Sequence, residues 1–179
     1  ISSKFIGGKL LDVGCGSKPY ELLFDVEEYI GIDVEISGHN HLESKIDKFY
    51  DGIHIPFDDK EFNWVFSSEV FEHVFNLDQL LIEVNRVLLS GGKLAFTCPF
   101  VWDEHEQPYD FARYSSFALL HIMEKNGFKV ESLHKSTSYF ETVMQLFSMY
   151  IYQNCLPNNK YLKILFVPFF VSPFNILGS

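Results

Sequence analysis

The chain has 179 residues, of which 47% are hydrophobic and 21% are charged, a composition that supports a packed core and excludes a disordered or collagen-like chain. Its 24 acidic residues against 14 lysines and arginines give a formal net charge of -10, which argues against a nucleic-acid backbone as partner. Three widely spaced cysteines, Cys15, Cys98 and Cys155, predict no disulfide framework and no cysteine metal site, and suit a reducing, cytoplasmic compartment.

Charged residues are unevenly distributed along the chain. After residue 138 the charged residues are only Glu141, Lys160 and Lys163, and aromatic side chains are frequent. We therefore expect a core domain over residues 1–138 and an apolar helical segment over residues 139–179, packed on the core or on an acceptor, partner or membrane surface. Because the chain lacks an initiator Met and its first strand comes almost at once, we expect it to be a fragment of a longer protein.

The first half of the chain contains four predicted strands. Lys9–Val13 is a short apolar run that stops at a glycine turn, and residues 29–34 form a second run. A weaker strand is predicted at residues 45–50 before an Asp-Gly turn, and a strong one at residues 62–67.

A change of period predicts the first helix. Apolar residues recur at three- and four-residue spacing from Leu77 to Leu88, with Asn76 as the expected N-cap and Gly91-Gly92 as the expected stop. A fifth strand is then predicted over residues 93–97.

A second helix and a sixth strand follow. The helix is expected to start at Ser115 or Ser116 and to run to Asn126-Gly127, and the strand to cover residues 128–133. Strands that alternate with helices at this spacing predict an α/β fold with a mostly parallel central sheet and helices on both faces. Ligands of such folds lie at the carboxyl ends of the strands.

The loop after the first strand has the pattern of a nucleotide site. Gly14 and Gly16 allow a ligand to approach the backbone, and Asp33, 21 positions after Asp12, can accept hydrogen bonds from ribose hydroxyls. A dinucleotide fingerprint needs a third glycine where this chain has Pro19, which disfavours that alternative.

Five segments carry a resemblance to a known family. They are residues 11–16 (LDVGCG), 31–34 (GIDV), 55–57 (IPF, with Asp51 before it), 62–74 and 86–94. In this order they resemble the motifs of class I S-adenosylmethionine-dependent methyltransferases, over roughly residues 9–135. The resemblance implies a Rossmann-like methyltransferase fold, from which we expect the N-terminal helices and the last strand to be missing.

The resemblance also implies a cofactor, S-adenosylmethionine, and a position for each part of it. The loop after the first strand would line the methionine end, Asp33 would hold the ribose, Asp51 would border the adenine, and Ser67 would lie beside the sulfonium. The cofactor-binding residues expected on this basis are Asp12, Gly14, Cys15, Gly16, Asp33, Val34, Asp51, Gly52, Ser67 and Ser68.

The methyl acceptor is expected at the long loop over residues 99–114. His105 is its best candidate for a general base or an acceptor-binding group, and Arg113 could hold a carboxylate or phosphate. Alternatively, Asp110 and Arg113 pair only to hold the loop. We expect Glu72-His73 to fix a helix start rather than to contact substrate. We also expect no metal site, since His39 and His41 lack a third ligand.

These patterns together predict methyl transfer to a small-molecule or lipid-like acceptor, and we expect oxygen to be the methylated atom. Alternatives are a non-catalytic partner subunit of the same fold, a dinucleotide-dependent oxidoreductase, and methylation of nucleic acid or protein. Residues 164–179 carry no charge but are too short and too proline-interrupted to span a membrane, so they predict core packing, a homodimer surface or a peripheral membrane contact.

Overall fold

The structure, a computed structural model, describes residues 5–36, 45–157 and 159–172. Five parallel strands form one sheet in the order β3-β2-β1-β4-β5. This topology confirms the predicted fold class. The strands are β1 (Lys9–Val13), β2 (Glu28–Val34), β3 (Lys48–Tyr50), β4 (Phe62–Ser68) and β5 (Leu88–Thr97).

The central strand β1 has core on both of its faces. Leu11 and Val13 belong to one cluster with the apolar stripe of helix α1 (Leu77–Val87), while Leu10 packs with Phe66 on the opposite side. Alternating side chains of a strand point to opposite faces, so a strand buried on both sides is mostly apolar, and a buried polar residue within it, here Asp12, is an exception. Each fully buried leucine contributes roughly 1.5–3 kcal/mol to folding.

Helix α1 ends earlier than its sequence predicts. The expected stop at Gly91-Gly92 is wrong, because α1 ends at Val87 and β5 begins at Leu88. Leu88 is buried and pairs with Phe62, which requires extended backbone directly after the helix. The two glycines instead lie within β5, where the register with β4 shifts.

The second predicted helix is present and the sixth predicted strand is not. Helix α2 (Ser116–Lys125) is capped by Ser115, whose Oγ accepts a hydrogen bond from the Ala118 amide. Residues 128–133 are irregular, although Phe128 and Val130 pack against the core. Within the described part of the chain no strand lies beside them, so their backbone groups cannot form a ladder and their apolar pattern produces packing only.

The chain divides into two compact units, residues 1–131 and 132–179. The second unit contains helix α3 (Tyr139–Tyr150), a π-helical turn (Ile151–Cys155) and helix α4 (Lys160–Phe170). Among the described residues, no helix combines the length and the apolar character needed to cross a bilayer. What residues 139–179 pack on stays a prediction.

Candidate cofactor and acceptor site

The loop after β1 is fixed to the end of β2. The amides of Gly14 and Cys15 both donate to the Ile32 carbonyl, at 2.8 and 3.1 Å, and the Gly16 amide donates to Asp33 Oδ2 at 2.9 Å. Gly16 has φ +50°, and a Cβ added there would meet nothing within 4 Å. The loop therefore has an open side next to the Asp33 carboxylate, where a ligand can approach the backbone.

Asp12 is a buried carboxylate at the end of β1. It is 2% exposed and accepts a hydrogen bond from the Tyr29 hydroxyl at 2.5 Å. Burial raises the pKa of Asp12 to about 6; the Tyr29 hydrogen bond and Lys18 oppose the increase, while the charge of Asp33 adds to it. A positively charged ligand in this region would favour the ionised form of Asp12.

Cys15 and Val34 contribute through the backbone. The Cys15 thiol is buried, and burial, together with the charges of Asp12 and Asp33, raises its pKa, so it is an inert packing group. A Cβ on Gly31 would lie 2.6 Å from the Cys15 sulfur, which explains why glycine occupies that position of β2. The Val34 amide donates to Asp33 Oδ1 at 2.8 Å and so helps to orient the carboxylate.

Asp51 is engaged in a local turn after β3. Its Oδ1 accepts from the amides of Ile53 and His54, at 2.8 and 2.7 Å, and its Oδ2 lies 2.6 Å from His54 Nδ1. These hydrogen bonds, that of the His54 side chain first, lower the pKa of Asp51. Gly52, with φ +87°, completes the turn. The turn lies at the same sheet edge as the β1 loop, and its role toward adenine stays a prediction.

Ser67 and Ser68 link strand ends at this edge. The buried Ser67 hydroxyl donates to the Val13 carbonyl at 3.0 Å, and the Ser68 hydroxyl lies 2.9 Å from the Thr97 hydroxyl. Both serines therefore tie β4 to its neighbours. The structure thus brings all ten predicted cofactor residues to the carboxyl edge of the sheet.

Arg113 forms a bidentate ion pair within the acceptor loop. Its Nη1 and Nη2 donate to the two oxygens of Asp110, at 2.6 and 2.8 Å, and Nη2 also donates to the Asp103 carbonyl at 3.2 Å. Arg113 holds the pKa of Asp110 well below its usual range. This geometry fits the alternative in which the pair holds the loop, and a direct role of Arg113 toward an acceptor stays a prediction.

His105 has one ring nitrogen held and one left for chemistry. Its Nδ1 lies 3.1 Å from the Asp103 carbonyl and 3.2 Å from Asp110 Oδ2, and its amide donates to Asp110 Oδ2 at 3.0 Å. Asp103 and Asp110 present acceptors to Nδ1, whereas Arg113 Nη2 presents a donor at 3.4 Å. The two shorter contacts place the proton on Nδ1, which in the neutral ring leaves the lone pair on Nε2. The ring packs edge-on against His73, with centroids 4.8 Å apart. An unprotonated Nε2 suits both roles predicted for His105.

Glu72 and His73 join the acceptor loop, which the sequence analysis did not predict. Glu72 is fully buried, burial raises its pKa to about 7, and its carbonyl accepts from the amides of Phe111 and Ala112. His73 Nδ1 lies 2.9 Å from the Tyr109 carbonyl. The available signal was two titratable residues four and five positions after the end of β4, at the ligand-binding edge.

These features define a nucleotide-cofactor α/β domain: a parallel sheet, a glycine loop after β1 and a carboxylate at the end of β2. Residues 11–96, just under half of the chain, match the family described as Methyltransferase domain. This part of the chain therefore carries a methyltransferase domain, and its fold is that of class I, Rossmann-like methyltransferases.

Two curated relatives share part of the sequence. A sarcosine/dimethylglycine N-methyltransferase of Halorhodospira halochloris is 36% identical over 67 residues, which are 37% of this chain and 23% of that protein. Methyltransferase GfsG of Streptomyces halstedii is 32% identical over 103 residues, 50% of this chain and 37% of that protein. The chain thus spans well under half the length of both relatives.

Solved structures share the fold. Phosphoethanolamine N-methyltransferase 2 of Haemonchus contortus, in complex with S-adenosyl-L-methionine, superposes with a TM-score of 0.63 at 17% identity, covering 97% of this chain and 46% of that one. A Haloferax volcanii protein described as a methyltransferase, in complex with a methyltransferase activator, gives 0.57 at 21% identity, covering 69% and 62%. At these identities the likeness shows the fold.

The cofactor of this domain class fits the residues present. The space beside Gly16 leaves the loop backbone accessible, and the Asp33 carboxylate borders that space. Asp12 supplies a negative charge near a cationic ligand. These residues can accommodate S-adenosylmethionine.

Proposed function

We propose that the protein transfers a methyl group from S-adenosylmethionine to an oxygen of a small-molecule or lipid-like acceptor. The observation that carries this proposal is the β1 loop, pinned by the Gly16 amide to Asp33 within a segment that matches the methyltransferase family. The same match favours a methyltransferase over a dinucleotide-dependent oxidoreductase.

On the cofactor side, the protein acts by binding and orientation. S-adenosylmethionine, when bound, supplies an electrophilic methyl group on a positively charged sulfur. Asp33 accepts hydrogen bonds from the ribose hydroxyls while the Gly16 amide keeps its carboxylate in place. Asp12 balances positive charge near the β1 loop. Alignment of acceptor and methyl group is the main requirement of such a displacement.

On the acceptor side, the protein must remove a proton if the acceptor is a hydroxyl. His105 presents the unprotonated Nε2 for this purpose, since Nδ1 is held by Asp103 and Asp110. Arg113 keeps Asp110 and the Asp103 carbonyl in position. A positioned imidazole contributes on the order of 10²- to 10⁴-fold to a proton transfer.

Nitrogen is the competing target atom. The printed names of one relative and one structural neighbour specify N-methyltransferases, so an acceptor screen must contain amines as well as alcohols and phenols. A nucleic-acid acceptor is disfavoured by the net charge of -10.

A non-catalytic role in a complex is the second candidate. One structural neighbour was solved in complex with a methyltransferase activator, so at least one chain of this fold associates with another subunit. A chain of this kind would bind the cofactor without turning it over, or would need a partner for activity.

We further propose a cytoplasmic protein with a peripheral membrane contact through residues 164–179. Within α4, Ile164, Phe169 and Phe170 are exposed, and Lys160 and Lys163 lie toward its N-terminal end. Exposed aromatic side chains near lysines are typical of helices that lie in a membrane interface. A homodimer through the same surface is the alternative outcome.

The test is calorimetric titration with S-adenosylmethionine, S-adenosylhomocysteine and NAD, followed by transfer of a labelled methyl group to a panel of hydroxyl and amine acceptors. We expect binding of the first two ligands, no binding of NAD, and product with a hydroxyl acceptor. Cofactor binding without methylation of any acceptor would favour the partner-subunit role. If neither S-adenosylmethionine nor S-adenosylhomocysteine bound, the proposal would be overturned.

A further inference from the structure

The Glu72 carboxylate has no hydrogen-bond partner in its buried position. Its side chain is 0% exposed, and neither Oε1 nor Oε2 has a partner among the described residues. An unpaired buried carboxylate is strongly unfavourable, so a proton or a cation must compensate it.

The imidazole of the neighbouring His73 places a second unpaired atom, a ring nitrogen, beside the Glu72 carboxylate. His73 Nδ1 lies 2.9 Å from the Tyr109 carbonyl, which requires the proton on Nδ1; in the neutral ring the lone pair is then on Nε2. This Nε2 is buried without a hydrogen bond and lies 3.7 Å from Glu72 Oε1. Such a hydrogen bond from the second ring nitrogen to a carbonyl is the usual arrangement behind metal-binding histidines.

A third ligand comes from the loop after β5. Three atoms that can bind a metal, one each from Glu72, His73 and His105, lie within 4.8 Å of one another. Nδ1 of His105 is held by the Asp103 carbonyl and by Asp110, so its Nε2 also carries a lone pair. The amides of residues 111 and 112 bind the Glu72 carbonyl and fix the loop next to the carboxylate.

The surrounding charge is negative. Glu106 Oε1 lies 3.5 Å from His73 Nε2, and the charge of Glu69 acts on the Glu72 carboxyl. The nearby cation, Arg113, is paired with Asp110. A divalent cation would therefore add positive charge beside two acidic side chains, Glu72 and Glu106.

We propose that Glu72, His73 and His105 form a binding site for a divalent transition-metal ion such as Zn²⁺, Mn²⁺ or Co²⁺. One carboxylate and two imidazoles from the protein are a ligand set that leaves coordination positions open for water or substrate. The site lies beyond the ends of β4 and β5, on the acceptor side of the domain.

The role of the metal rests on the proposed function, whereas its binding does not. An acceptor hydroxyl that coordinates a divalent cation loses its proton more readily, as bound water does. Its oxygen then forms the new bond to the methyl carbon, the carbon–sulfur bond breaks with its electron pair on sulfur, and the hydroxyl proton passes to solvent. With the metal bound, His105 would be a ligand, and the metal would take over the activation of the hydroxyl that is proposed above for His105 as a base.

The binding test is titration of the untagged, chelator-treated protein with CoCl₂, followed by visible absorption, with ZnCl₂ as competitor. We expect one Co²⁺ per chain with d–d bands typical of nitrogen and oxygen ligands, displaced by Zn²⁺. Absence of saturable binding would overturn the site, and so would a thiolate charge-transfer band, which would place the metal on a cysteine.

Variants then locate the metal. Glu72→Gln and His73→Gln preserve size and should each weaken Co²⁺ binding by at least about tenfold, within the range known for lost ligands and their supports. Glu124→Gln and His121→Gln, at exposed positions of α2, are the matched controls and should bind as the unchanged protein. Thermal unfolding of the metal-free variants checks that they fold, and equal affinity in all four variants would overturn the assignment.

Activity separates this proposal from the proposed function. Calorimetry with S-adenosylmethionine on the metal-free protein reports the cofactor site alone. If the metal-free protein still binds S-adenosylmethionine, we expect that it no longer methylates a hydroxyl acceptor and that added Zn²⁺ or Mn²⁺ restores the activity. Full activity of the metal-free protein would overturn the catalytic role of the metal while leaving the methyltransferase proposal standing.

Discussion

Two buried acidic side chains at the carboxyl edge of the sheet lower the stability of the folded chain, and packing alone does not explain why they are there. Asp12 and Glu72 are both buried acids, and burial raises the pKa of each, to about 6 and about 7. Replacing them with apolar residues would serve a structural core better. Perturbed acids gathered where ligands bind in parallel sheets indicate function rather than packing.

The Asp33 carboxylate is expected to determine cofactor affinity. Asp33→Ala removes the ribose acceptor and releases the Gly16 amide, so affinity for S-adenosylmethionine should fall more than tenfold, on the order of 1.5–3 kcal/mol. Calorimetric titration measures this change. The exposed Asp25→Ala is the control, and unchanged binding by Asp33→Ala would contradict the ribose assignment.

His105 is expected to affect turnover rather than cofactor binding. His105→Ala removes the ring nitrogen proposed as the base, so kcat should fall by roughly 10²-fold or more, with cofactor affinity nearly unchanged. Initial rates and calorimetry on one preparation distinguish the two quantities. A collapse of cofactor affinity would instead place His105 in the cofactor pocket or in the scaffold.

Asp12 should make stability depend on pH. Its folded pKa of about 6 lies above the ordinary 3.8, so its stabilising effect is present below about pH 4 and is lost as the pH rises to about 6. Asp12→Asn, which can still accept from Tyr29, should gain about 2 kcal/mol relative to the unchanged protein between pH 4 and pH 7. Urea unfolding at both pH values measures this difference, and a constant difference would show that Asp12 ionises normally.

At the scale of elements, a long irregular loop is ordered by a few polar anchors. The amides of residues 111 and 112 bind the Glu72 carbonyl, and the Asp110–Arg113 pair holds the His105 amide and the Asp103 carbonyl. These anchors join the loop after β5 to the 3₁₀ turn after β4 (Phe71–His73). A functional loop is thereby fixed on a rigid sheet.

Loss of the Asp110 carboxylate should loosen this loop. Asp110→Asn replaces a bidentate charged pair, and amide exchange across residues 103–112 should accelerate roughly tenfold or more, with the β1 amides unaffected. Because Arg113 lowers the pKa of Asp110, protection in the unchanged protein should hold above about pH 4 and decrease below it. Exchange mass spectrometry measures both effects, with the exposed Asp103→Asn as control; equal rates would show that other contacts order the loop.

At the scale of the whole molecule, charge and apolar surface are separated along the chain. Residues 1–131 form the sheet domain and hold most of the acidic residues, whereas residues 132–179 form a helical unit whose exposed side chains include Tyr139, Tyr161 and Phe169. A surface of this kind is typical of contact with another apolar surface.

The apolar end of α4 should bind lipid. With vesicles of phosphatidylcholine and phosphatidylglycerol, the unchanged chain should co-sediment, and a double variant, Phe169→Ser with Phe170→Ser, should bind several-fold less. The control is Phe117→Ser, an aromatic position on α2 that is even more exposed than Phe169 and Phe170. Sedimentation velocity on the same proteins tests the alternative, since a dimer lost in the double variant without any vesicle binding would contradict the membrane proposal.

The sequence alone determined the sheet and its loop because those signals are local. The apolar run within Lys9–Val13 and the glycines after it are visible in neighbouring positions of the sequence, and so is the acid at the end of β2. The end of α1 and the fate of residues 128–133 depend on pairing with other strands, which only the tertiary structure decides. The cluster of Glu72, His73 and His105 also unites residues more than 30 positions apart, and the burial that raises the pKa of the Glu72 carboxyl is visible only in the fold.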